Sequence, residues 1–334
     1  MSLRPPVTVV IPARNEAGCL SACLDSVLGA LEPVGGGEVL VIDGESTDET
    51  ARIAAGYAAR FPSVRVIRNP DRITPAAFNL GIRTAASDRI AIVSAHSRVE
   101  PGFFQAALAR LDAGEAEVVG GPVTTEPGGS GALAWLLAQV VSHPFGVGNS
   151  RFRVSTAAGY VDAVPFAIYA RSVFDQVGLF DLAFPRNQDT EFFGRAARAG
   201  IRVYQDPAVR SVYRARGTVG GLLRQGFANA YWNVLVWRST PRAFRWRHLI
   251  PGIFATAVYA SLALAVVVPR SWWVPAVVLV PYAAAATLAA VHIARRRRRW
   301  IALALPPVFF LYHLVYGTGT LAGLRFLLRR KRTR

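Results

Sequence analysis

The first 120 residues alternate between short apolar runs and longer stretches with a helical pattern. Each run is rich in β-branched residues, ends in polar residues and is followed by apolar positions at helical spacing. The predicted strands are Val7–Ile11, Glu38–Asp43, Val64–Ile67, Arg89–Val93 and Ala116–Gly120. This alternation predicts an α/β domain with a Rossmann-like, mostly parallel sheet that carries helices on its faces.

The last part of the chain has a different pattern, because its charged residues are separated by intervals long enough to cross a membrane. The segments 249–269, 271–294 and 301–324 contain no Asp, Glu, Lys or Arg. Each exceeds the roughly 18 residues that a membrane-spanning helix needs. We therefore predict that α-helical transmembrane segments follow the α/β domain. Buried core helices of a large domain are the alternative, but no acidic residue is left in this region to build their surface.

The third apolar segment, 301–324, allows two interpretations. If it spans, the basic tail after it lies outside, against the preference of Arg and Lys for the cytoplasmic side. Pro306 and Pro307 near its start, with three glycines near its end, would also suit a kinked or re-entrant segment. The sequence leaves both interpretations open.

The distribution of charge indicates a membrane as the partner. The 334 residues include 38 basic and 21 acidic ones, for a formal net charge of +17. All 21 acids lie in residues 1–206 with 18 arginines, whereas residues 207–334 hold 20 basic residues and no acid. Because these basic residues flank apolar segments, they indicate anionic lipid headgroups rather than nucleic acid. The hydrophobic content of 52% excludes intrinsic disorder.

These patterns divide the chain into a domain at 1–212, interfacial amphipathic helices at 213–247 and a transmembrane region with a basic tail at 248–334. The middle region mixes arginines with tyrosine and tryptophan, which is typical of helices in the headgroup layer. A solvated basic face is the alternative. The basic and aromatic residues of the middle region are Arg214, Arg216, Arg224, Arg238, Arg242, Arg245, Arg247, Tyr231, Trp232, Trp237 and Trp246. Residues 1–12 lack signal-peptide features, so we expect a cytoplasmic first domain in a multi-pass protein of the plasma membrane.

Two strand ends carry residues suited to a nucleotide. The first predicted strand continues into Pro12-Ala-Arg-Asn-Glu16, and the second ends in Asp43-Gly-Glu-Ser-Thr-Asp48. Carboxylates at such positions accept hydrogen bonds from base or ribose, and amides at a helix N-terminus face phosphate. Taken alone, the second run would also suit a simple turn and helix N-cap. The order of the two motifs favours the nucleotide site.

A third motif, Arg186-Asn-Gln-Asp-Thr-Glu191, completes a resemblance to a known family. Together the three motifs resemble the family 2 inverting glycosyltransferases of the GT-A fold. Within that family, residues 5–235 are most similar to membrane-bound, succinoglycan-type exopolysaccharide enzymes. The resemblance implies a nucleotide-diphosphate sugar donor linked to UDP or GDP, a divalent metal, and one catalytic base that acts on an acceptor hydroxyl.

Site residues follow from this resemblance position by position. Asp189 matches the catalytic base, and a single displacement needs no second carboxylate as nucleophile. The donor-binding residues that the resemblance implies are Pro12, Arg14, Glu16, Asp43, Ser46, Asp71, Asn79, Arg214 and Arg216. Those on the acceptor side are His143, Asp162 and Glu191.

Several of these assignments have plain structural alternatives. Asp71 would also suit a turn, and Asn79 the surface of a helix. Glu191 would also suit the first turn of a helix, where an acid interacts with the dipole. The two arginines, Arg214 and Arg216, would clamp a diphosphate or contact lipid headgroups.

The metal motif departs from the family pattern. Where family members carry Asp-x-Asp, or Asp-x-His in the succinoglycan type, this chain has Ser94-Ala95-His96. No carboxylate is left in the motif, and imidazole suits Mn²⁺ better than Mg²⁺. Three interpretations stay open: His96 holds a divalent metal, Mn²⁺ or Mg²⁺, together with the diphosphate; His96 donates directly to a phosphate oxygen; or activity is lost.

The function predicted from the sequence is inverting transfer of a sugar to a polyprenyl diphosphate-linked acceptor in cell-surface or exopolysaccharide synthesis. A polyprenyl phosphate sugar synthase, whose acceptor is the lipid phosphate itself, is one alternative. A non-catalytic scaffold of a polysaccharide assembly complex is the other. The expected partners are the nucleotide sugar, the polyprenyl-linked acceptor and membrane lipids, with no nucleic acid.

Overall fold

The computed structural model describes residues 4–148, 151–241 and 248–331, with side chains to residue 328. Arg242, Arg245, Trp246 and Arg247 of the predicted interfacial region, and the side chains of the basic tail from residue 329, lie outside this part. The chain divides into two compact units. The first comprises residues 1–124 and 151–214, and the second comprises 125–150 and 215–334.

Strands and helices alternate along the chain in the predicted manner. The first elements are β1 (Thr8–Ala13), α1 (Leu20–Leu31), β2 (Glu38–Asp43), α2 (Thr50–Arg60), β3 (Val64–Arg68), α3 (Thr74–Thr84), β4 (Arg89–Ile92), β5 (Ser97–Val99), α4 (Phe103–Asp112), β6 (Val118–Gly120), β7 (Val123–Glu126), α5 (Ala132–Val140) and α6 (Pro144–Val147). They are followed by α7 (Arg151–Val154), β8 (Gly159–Tyr160), β9 (Ile168–Ala170), α8 (Arg171–Val177), α9 (Gln188–Arg198), β10 (Val203–Gln205), β11 (Ser211–Arg214), α10 (Val219–Ser239), α11 (Ile250–Val267), α12 (Val274–Arg297) and α13 (Leu305–Lys331).

The first unit is built on an eight-stranded sheet with the order β3-β2-β1-β4-β9-β6-β10-β8. The pairs β1–β2, β1–β4, β2–β3 and β6–β10 are parallel, whereas β9 and β8 pair antiparallel with their neighbours. All five predicted strands are present as β1, β2, β3, β4 and β6. The prediction of a mostly parallel sheet is therefore confirmed.

Helices cover both faces of this sheet, which explains why its strands are apolar at successive positions. On one face, Val9, Ile11 and Val41 pack with Leu24 of α1 and Phe104 of α4. On the other face, the intervening strand residues pack with α3, α8 and α9; the main members are Val10, Leu40, Ile42, Phe78, Phe174 and Phe192. Because neighbouring strand residues point to opposite faces, both cores are fed by the same strands.

The second unit contains three helical segments long and apolar enough to cross a membrane, as the sequence predicts. They are Ile250–Val267, Pro269–Arg297 and Trp300–Leu328. The third is continuous: α13 runs without interruption from Leu305, so Pro306 and Pro307 fall in its first turn, where proline costs no backbone hydrogen bond. This favours a spanning helix over the kinked or re-entrant interpretation.

Glycines let α13 approach its neighbours within the second unit. A Cβ atom at Gly317 would lie 2.0 Å from the carbonyl oxygen of Pro251, and one at Gly319 would lie 2.4 Å from that of Phe227. Such contacts between backbones are typical of helices that associate inside membranes. The helix α10, which covers most of the predicted interfacial region, therefore packs directly against α13. Its interfacial role stays a prediction.

Candidate functional site

The loops after β1 and β2 are joined by hydrogen bonds into one structure. Asp43 Oδ1 accepts a hydrogen bond of 2.6 Å from the hydroxyl of Ser46, whose oxygen accepts one of 3.0 Å from the backbone NH of Asn15. Asn15 Oδ1 in turn accepts a bond of 2.8 Å from the backbone NH of Thr47. Asn15 adopts a left-handed conformation with φ of 56°, which asparagine tolerates. The predicted donor residues Asp43 and Ser46 therefore shape the loop that begins after Ala13, the last residue of β1. Pro12 is the fifth residue of that strand.

The loop after β3 joins the same edge of the sheet. Arg14 Nη1 donates a hydrogen bond of 3.3 Å to the carbonyl oxygen of Arg72. Glu45 accepts bonds from Arg68 Nε at 2.8 Å and from Arg72 Nε at 2.5 Å. These bonds, first from Arg72 and then from Arg68, hold the pKa of Glu45 below its ordinary value. Asp71 lies in this turn with its side chain exposed, next to the two loops that carry the other predicted donor residues.

His96, in the turn after β4, lies against a carboxylate from another strand end. His96 Nδ1 is 3.1 Å from Glu16 Oε1, and the Ser94 hydroxyl is 3.1 Å from the same nitrogen. Both side chains stay partly accessible, at 26% for His96 and 21% for Glu16. Because β1 pairs with β4, the loops that follow these strands meet. A carboxylate from Glu16 therefore lies beside the Ser94-Ala95-His96 motif, which carries none of its own.

This pair provides two ligand atoms for a divalent ion. Two neighbouring ligands bound to one ion at about 2.1 Å each, at a right angle, lie about 3.0 Å apart, close to the observed 3.1 Å. In the described part of the chain, no cluster of three or more His, Cys, Asp or Glu side chains is arranged to hold a metal. The remaining ligands would have to come from a bound diphosphate and water.

Arg214 lies beside this pair. Its backbone NH donates a hydrogen bond of 3.3 Å to the carbonyl oxygen of His96, and its Nη1 is 3.6 Å from Cys19 Sγ. Cys19 is the N-cap residue of α1 and a free thiol. The guanidinium of Arg214 is exposed, so it is accessible to an anion at the edge of the sheet that carries His96 and Glu16.

A run of ring and guanidinium contacts leads from His96 toward Asp189. The ring of Tyr213 meets the imidazole of His96 edge to face, at a distance of 5.5 Å between ring centres. The guanidinium of Arg153 lies 5.2 Å from the centre of the Tyr213 ring, within the range of a cation–π contact. The positive charge of Arg153 acts in turn on the carboxylate of Asp189.

Asp189 occupies the first turn of α9, next to the left-handed Asn187. Solvent reaches its side chain, but surrounding protein displaces much of the water from the carboxylate. This desolvation raises the pKa of Asp189 above its ordinary value of 3.8, while hydrogen bonds from Thr190 and the charge of Arg153 act in the opposite direction. A carboxylate that is poorly hydrated yet accessible has the properties of a proton acceptor.

Two other predicted site residues hold the segment that carries Asp189. The amide of Asn79 is buried and binds both backbone groups of Phe180, donating to its oxygen at 2.8 Å and accepting from its nitrogen at 2.9 Å. Glu191 is only 3% exposed and pairs with Arg195, which also donates to the carbonyl oxygens of Val177 and Leu179. The structure thus supports positioning roles for Asn79 and Glu191. Their predicted contacts with donor and acceptor stay predictions.

The remaining predicted residues are Asp162, Arg216 and His143. Asp162 is exposed in the loop between β8 and β9 of the first unit. Arg216 and His143 belong to the second unit, where His143 is half-buried.

Two residues of the site were missed by sequence reasoning, namely Arg153 and Tyr213. Neither lies in a motif, and Tyr213 reads as an ordinary apolar strand residue. Arg153 shares its stretch with Arg151, so nothing in the sequence singles it out. The stretch that carries Arg153 is held by Gln205 of β10. Its Nε2 donates hydrogen bonds to the carbonyl oxygens of Ser155 at 3.0 Å and Ala157 at 3.1 Å.

The chain is similar to a known family and to known proteins. Residues 8–178 match the family model described as Glycosyl transferase family 2. Succinoglycan biosynthesis protein ExoA of Rhizobium meliloti (strain 1021) is 28% identical over 278 residues, which cover 80% of this chain and 82% of that protein. The dolichyl N-acetyl-alpha-D-glucosaminyl phosphate 3-beta-D-2,3-diacetamido-2,3-dideoxy-beta-D-glucuronosyltransferase of Methanococcus voltae is 23% identical, covering 95% of this chain and 97% of that protein.

Solved structures share the fold. Mannosyltransferase PcManGT from Pyrobaculum calidifontis, in complex with GDP-Man and Mn²⁺, superposes with a TM-score of 0.54 at 20% identity, covering 94% of this chain and 88% of that one. TarS residues 1–349 from S. aureus, in complex with UDP-GlcNAc, gives a TM-score of 0.53 at 14% identity, covering 96% and 91%. These similarities support the predicted GT-A architecture.

Proposed function

The chain belongs to glycosyl transferase family 2 and is a glycosyltransferase, and from this premise we propose that it transfers a sugar, with inversion, from a nucleotide diphosphate to a lipid-linked acceptor. The observation that carries the proposal is the run of contacts from His96 through Tyr213 and Arg153 toward Asp189. It connects the strand-end loops, where a nucleotide diphosphate would bind, with the carboxylate that would accept a proton.

In the proposed reaction, Asp189 takes the proton of the acceptor hydroxyl as that oxygen attacks the anomeric carbon. A bond forms between this carbon and the acceptor oxygen, and the bond to the diphosphate oxygen breaks on the opposite face. The electron pair leaves with the nucleoside diphosphate, and the proton stays on Asp189. Arg214 would stabilise the charge that develops on the leaving group, because a guanidinium offers paired donors to phosphate oxygens. A single displacement of this kind inverts the anomeric configuration.

His96 and Glu16 would hold a divalent metal ion in this site. Their imidazole and carboxylate donors favour Mn²⁺ over Mg²⁺, since Mg²⁺ prefers all-oxygen surroundings. When bound, the metal would supply charge neutralisation for the diphosphate. The complex of the Pyrobaculum calidifontis mannosyltransferase with GDP-Man and Mn²⁺ supports this choice of ion.

We expect Mn²⁺ binding in the presence of a nucleoside diphosphate to weaken markedly in His96→Gln and in Glu16→Gln. The reason is that each variant removes one of two protein ligands. Electron paramagnetic resonance of free Mn²⁺ measures the affinity without any turnover. Glu49→Gln is the matched control, because Glu49 is an exposed carboxylate at the start of α2. Equal Mn²⁺ affinity in all four proteins would contradict the assignment of these ligands.

The pH dependence of transfer tests the environment of Asp189. Only the ionised carboxylate accepts a proton, and desolvation raises the pKa of Asp189 above 3.8. We therefore expect kcat/KM to fall, as the pH is lowered, at a pH above 3.8. In Arg153→Met this fall should move to higher pH, since the positive charge that favours the carboxylate is gone.

The control for this shift is Arg151→Met on the same short helix, where Arg151 donates to the carbonyl oxygen of Tyr160. It removes the same charge without a direct effect on Asp189. An acidic limb that is identical in Arg153→Met and the unmodified protein would exclude Arg153 from the neighbourhood of the base.

The second unit supports a membrane-embedded acceptor. It contains three helices of spanning length, and its residues, 125–150 and 215–334, include Glu126 as their one acid against 18 basic residues. The Methanococcus voltae relative is named for a dolichyl-linked sugar phosphate, which supports a polyprenyl-linked acceptor here. We place the protein in the plasma membrane as a multi-pass protein with its catalytic unit on the cytoplasmic side, where arginines next to spanning segments are favoured.

Donor hydrolysis by the purified full-length protein in detergent tests the proposed function. UDP- and GDP-linked sugars would be screened with Mn²⁺, Mg²⁺ or EDTA, and the active donor would then be offered with polyprenyl diphosphate-linked saccharides. We expect turnover of one nucleotide class that depends on Mn²⁺, and a product of inverted configuration. Hydrolysis of no donor under any metal condition would refute the proposal.

A further inference from the structure

A positively charged cluster lies in the second unit. His143, at the start of α6, has its ring 5.8 Å from that of His292 on α12. Arg296 follows His292 by four residues, so both side chains lie on one face of α12. Arg299, just beyond the end of α12, lies with its guanidinium 5.4 Å from the ring centre of Trp135 on α5.

The hydrogen bonding of His143 leaves its second ring nitrogen as a donor. Its Nδ1 accepts a hydrogen bond of 3.2 Å from the backbone NH of Phe145. In the neutral imidazole the proton therefore resides on Nε2. The ring of His143 therefore offers a hydrogen-bond donor, Nε2–H, next to the imidazole of His292.

No ion pair involves Arg295 to Arg299 in the part of the chain that the structure describes. The second unit carries 18 basic residues and one acid, Glu126. Burial lowers the pKa of His143, and the charges of His292 and Arg296 act in the same direction. An anion in this place would relieve the repulsion and accept the hydrogen bonds.

We propose that His143, His292 and Arg296 bind a phosphate group carried by a lipid. The chemistry fits either the phosphate of a prenyl diphosphate or that of an anionic membrane headgroup, since imidazole and guanidinium groups next to an apolar helix suit both. A site for a prenyl diphosphate would bind the lipid-linked acceptor, and it therefore rests on the proposed function. A site for an anionic headgroup is independent of that acceptor.

Binding to the full chain in phosphatidylcholine nanodiscs, without nucleotide sugar, tests the site. The probes are farnesyl diphosphate and inorganic pyrophosphate, measured by calorimetry. The combined variant His292→Gln with Arg296→Gln should bind farnesyl diphosphate about tenfold or more weakly, because it removes charge-assisted hydrogen bonds. Arg270→Gln is the matched control, since it removes one exposed positive charge between α11 and α12. All three side chains are exposed, so we expect these changes to leave the fold intact.

The two sources of phosphate are separated by adding phosphatidylglycerol to the nanodiscs. Suppression of pyrophosphate binding by phosphatidylglycerol identifies a headgroup site. A prenyl diphosphate site is identified if farnesyl diphosphate binds more tightly than pyrophosphate and if phosphatidylglycerol leaves its affinity unchanged. Equal affinity of the combined variant and the unmodified protein for both probes overturns the proposal, as does equal weakening in Arg270→Gln. Because the readout is binding, a protein that binds these probes but transfers no sugar would refute the proposed function alone.

Discussion

Asp189→Asn is expected to slow sugar transfer to a hydroxyl acceptor by about 10²–10⁴-fold, the usual contribution of a general base. An amide has nearly the shape of the carboxylate but does not take up the acceptor's proton. Binding of the nucleotide sugar should persist, because the strand-end loops after β1, β2 and β4 do not include Asp189. Single-turnover kinetics with a polyprenyl diphosphate-linked saccharide, beside equilibrium binding of the donor, measure the two quantities separately.

Asp175→Asn provides the control, because Asp175 is an exposed acid on α8 near the same aromatic core. Transfer at full rate by Asp189→Asn would remove the basis of the mechanism. A mild loss with a polyprenyl phosphate as the better acceptor would instead favour the polyprenyl phosphate sugar synthase, since an ionised phosphate needs little help from a base. Lack of turnover in the unmodified protein, with a cellular phenotype that Asp189→Asn leaves unchanged, would favour a scaffold.

Arg195→Met is expected to give the largest loss of stability in the first unit. It leaves the carboxylate of Glu191, which is 3% exposed, without its partner at 2.8 Å and frees the carbonyl oxygens of Val177 and Leu179. Removing one member of a buried ion pair costs about 3 kcal/mol or more. For a domain of this size that corresponds to a decrease in Tm of about 6–12 °C. Thermal unfolding of the purified protein in detergent measures it.

Two further variants identify the cause of this loss. Arg198→Met removes an exposed arginine from the same helix and should leave Tm nearly unchanged. Adding Glu191→Gln to Arg195→Met should recover part of the stability, because the buried charge that has lost Arg195 is then gone. If Arg198→Met were as damaging as Arg195→Met, or if the second substitution recovered nothing, the buried pair would not be what holds α9.

The sequence could predict the parts of this protein that depend on local pattern. Runs of β-branched residues locate the five strands, because a strand buried on both faces of a sheet must be apolar along its length. Uncharged segments of spanning length locate the three long helices of the second unit, because a membrane interior excludes charge. The motifs at residues 11–16, 41–48 and 186–191 identify the family, which the comparison with known proteins confirms.

The same reasoning does not reach contacts with distant partners. Asn79 also suits an amide on a helix surface, yet it is buried and binds the backbone of Phe180, 101 positions away. Glu191 does lie in the first turn of α9, but the sequence did not show that it is buried and paired with Arg195, which fastens the segment before Asp189. The tendency of a segment to form a helix is set by nearby residues, whereas these partners are set by how helices pack on the sheet.

By itself, then, the sequence determined the element order, the division into an α/β part and an apolar helical part, and Asp189 as the candidate base. Only the tertiary structure placed Glu16, 80 positions from His96, beside the predicted metal motif, and Tyr213 in contact with both His96 and Arg153, whose charge acts on Asp189. The physical reason is the strand order. Hydrophobic periodicity shows that β1 and β4 are strands, but their pairing, which brings the two loops together, arises from the packing of the whole sheet.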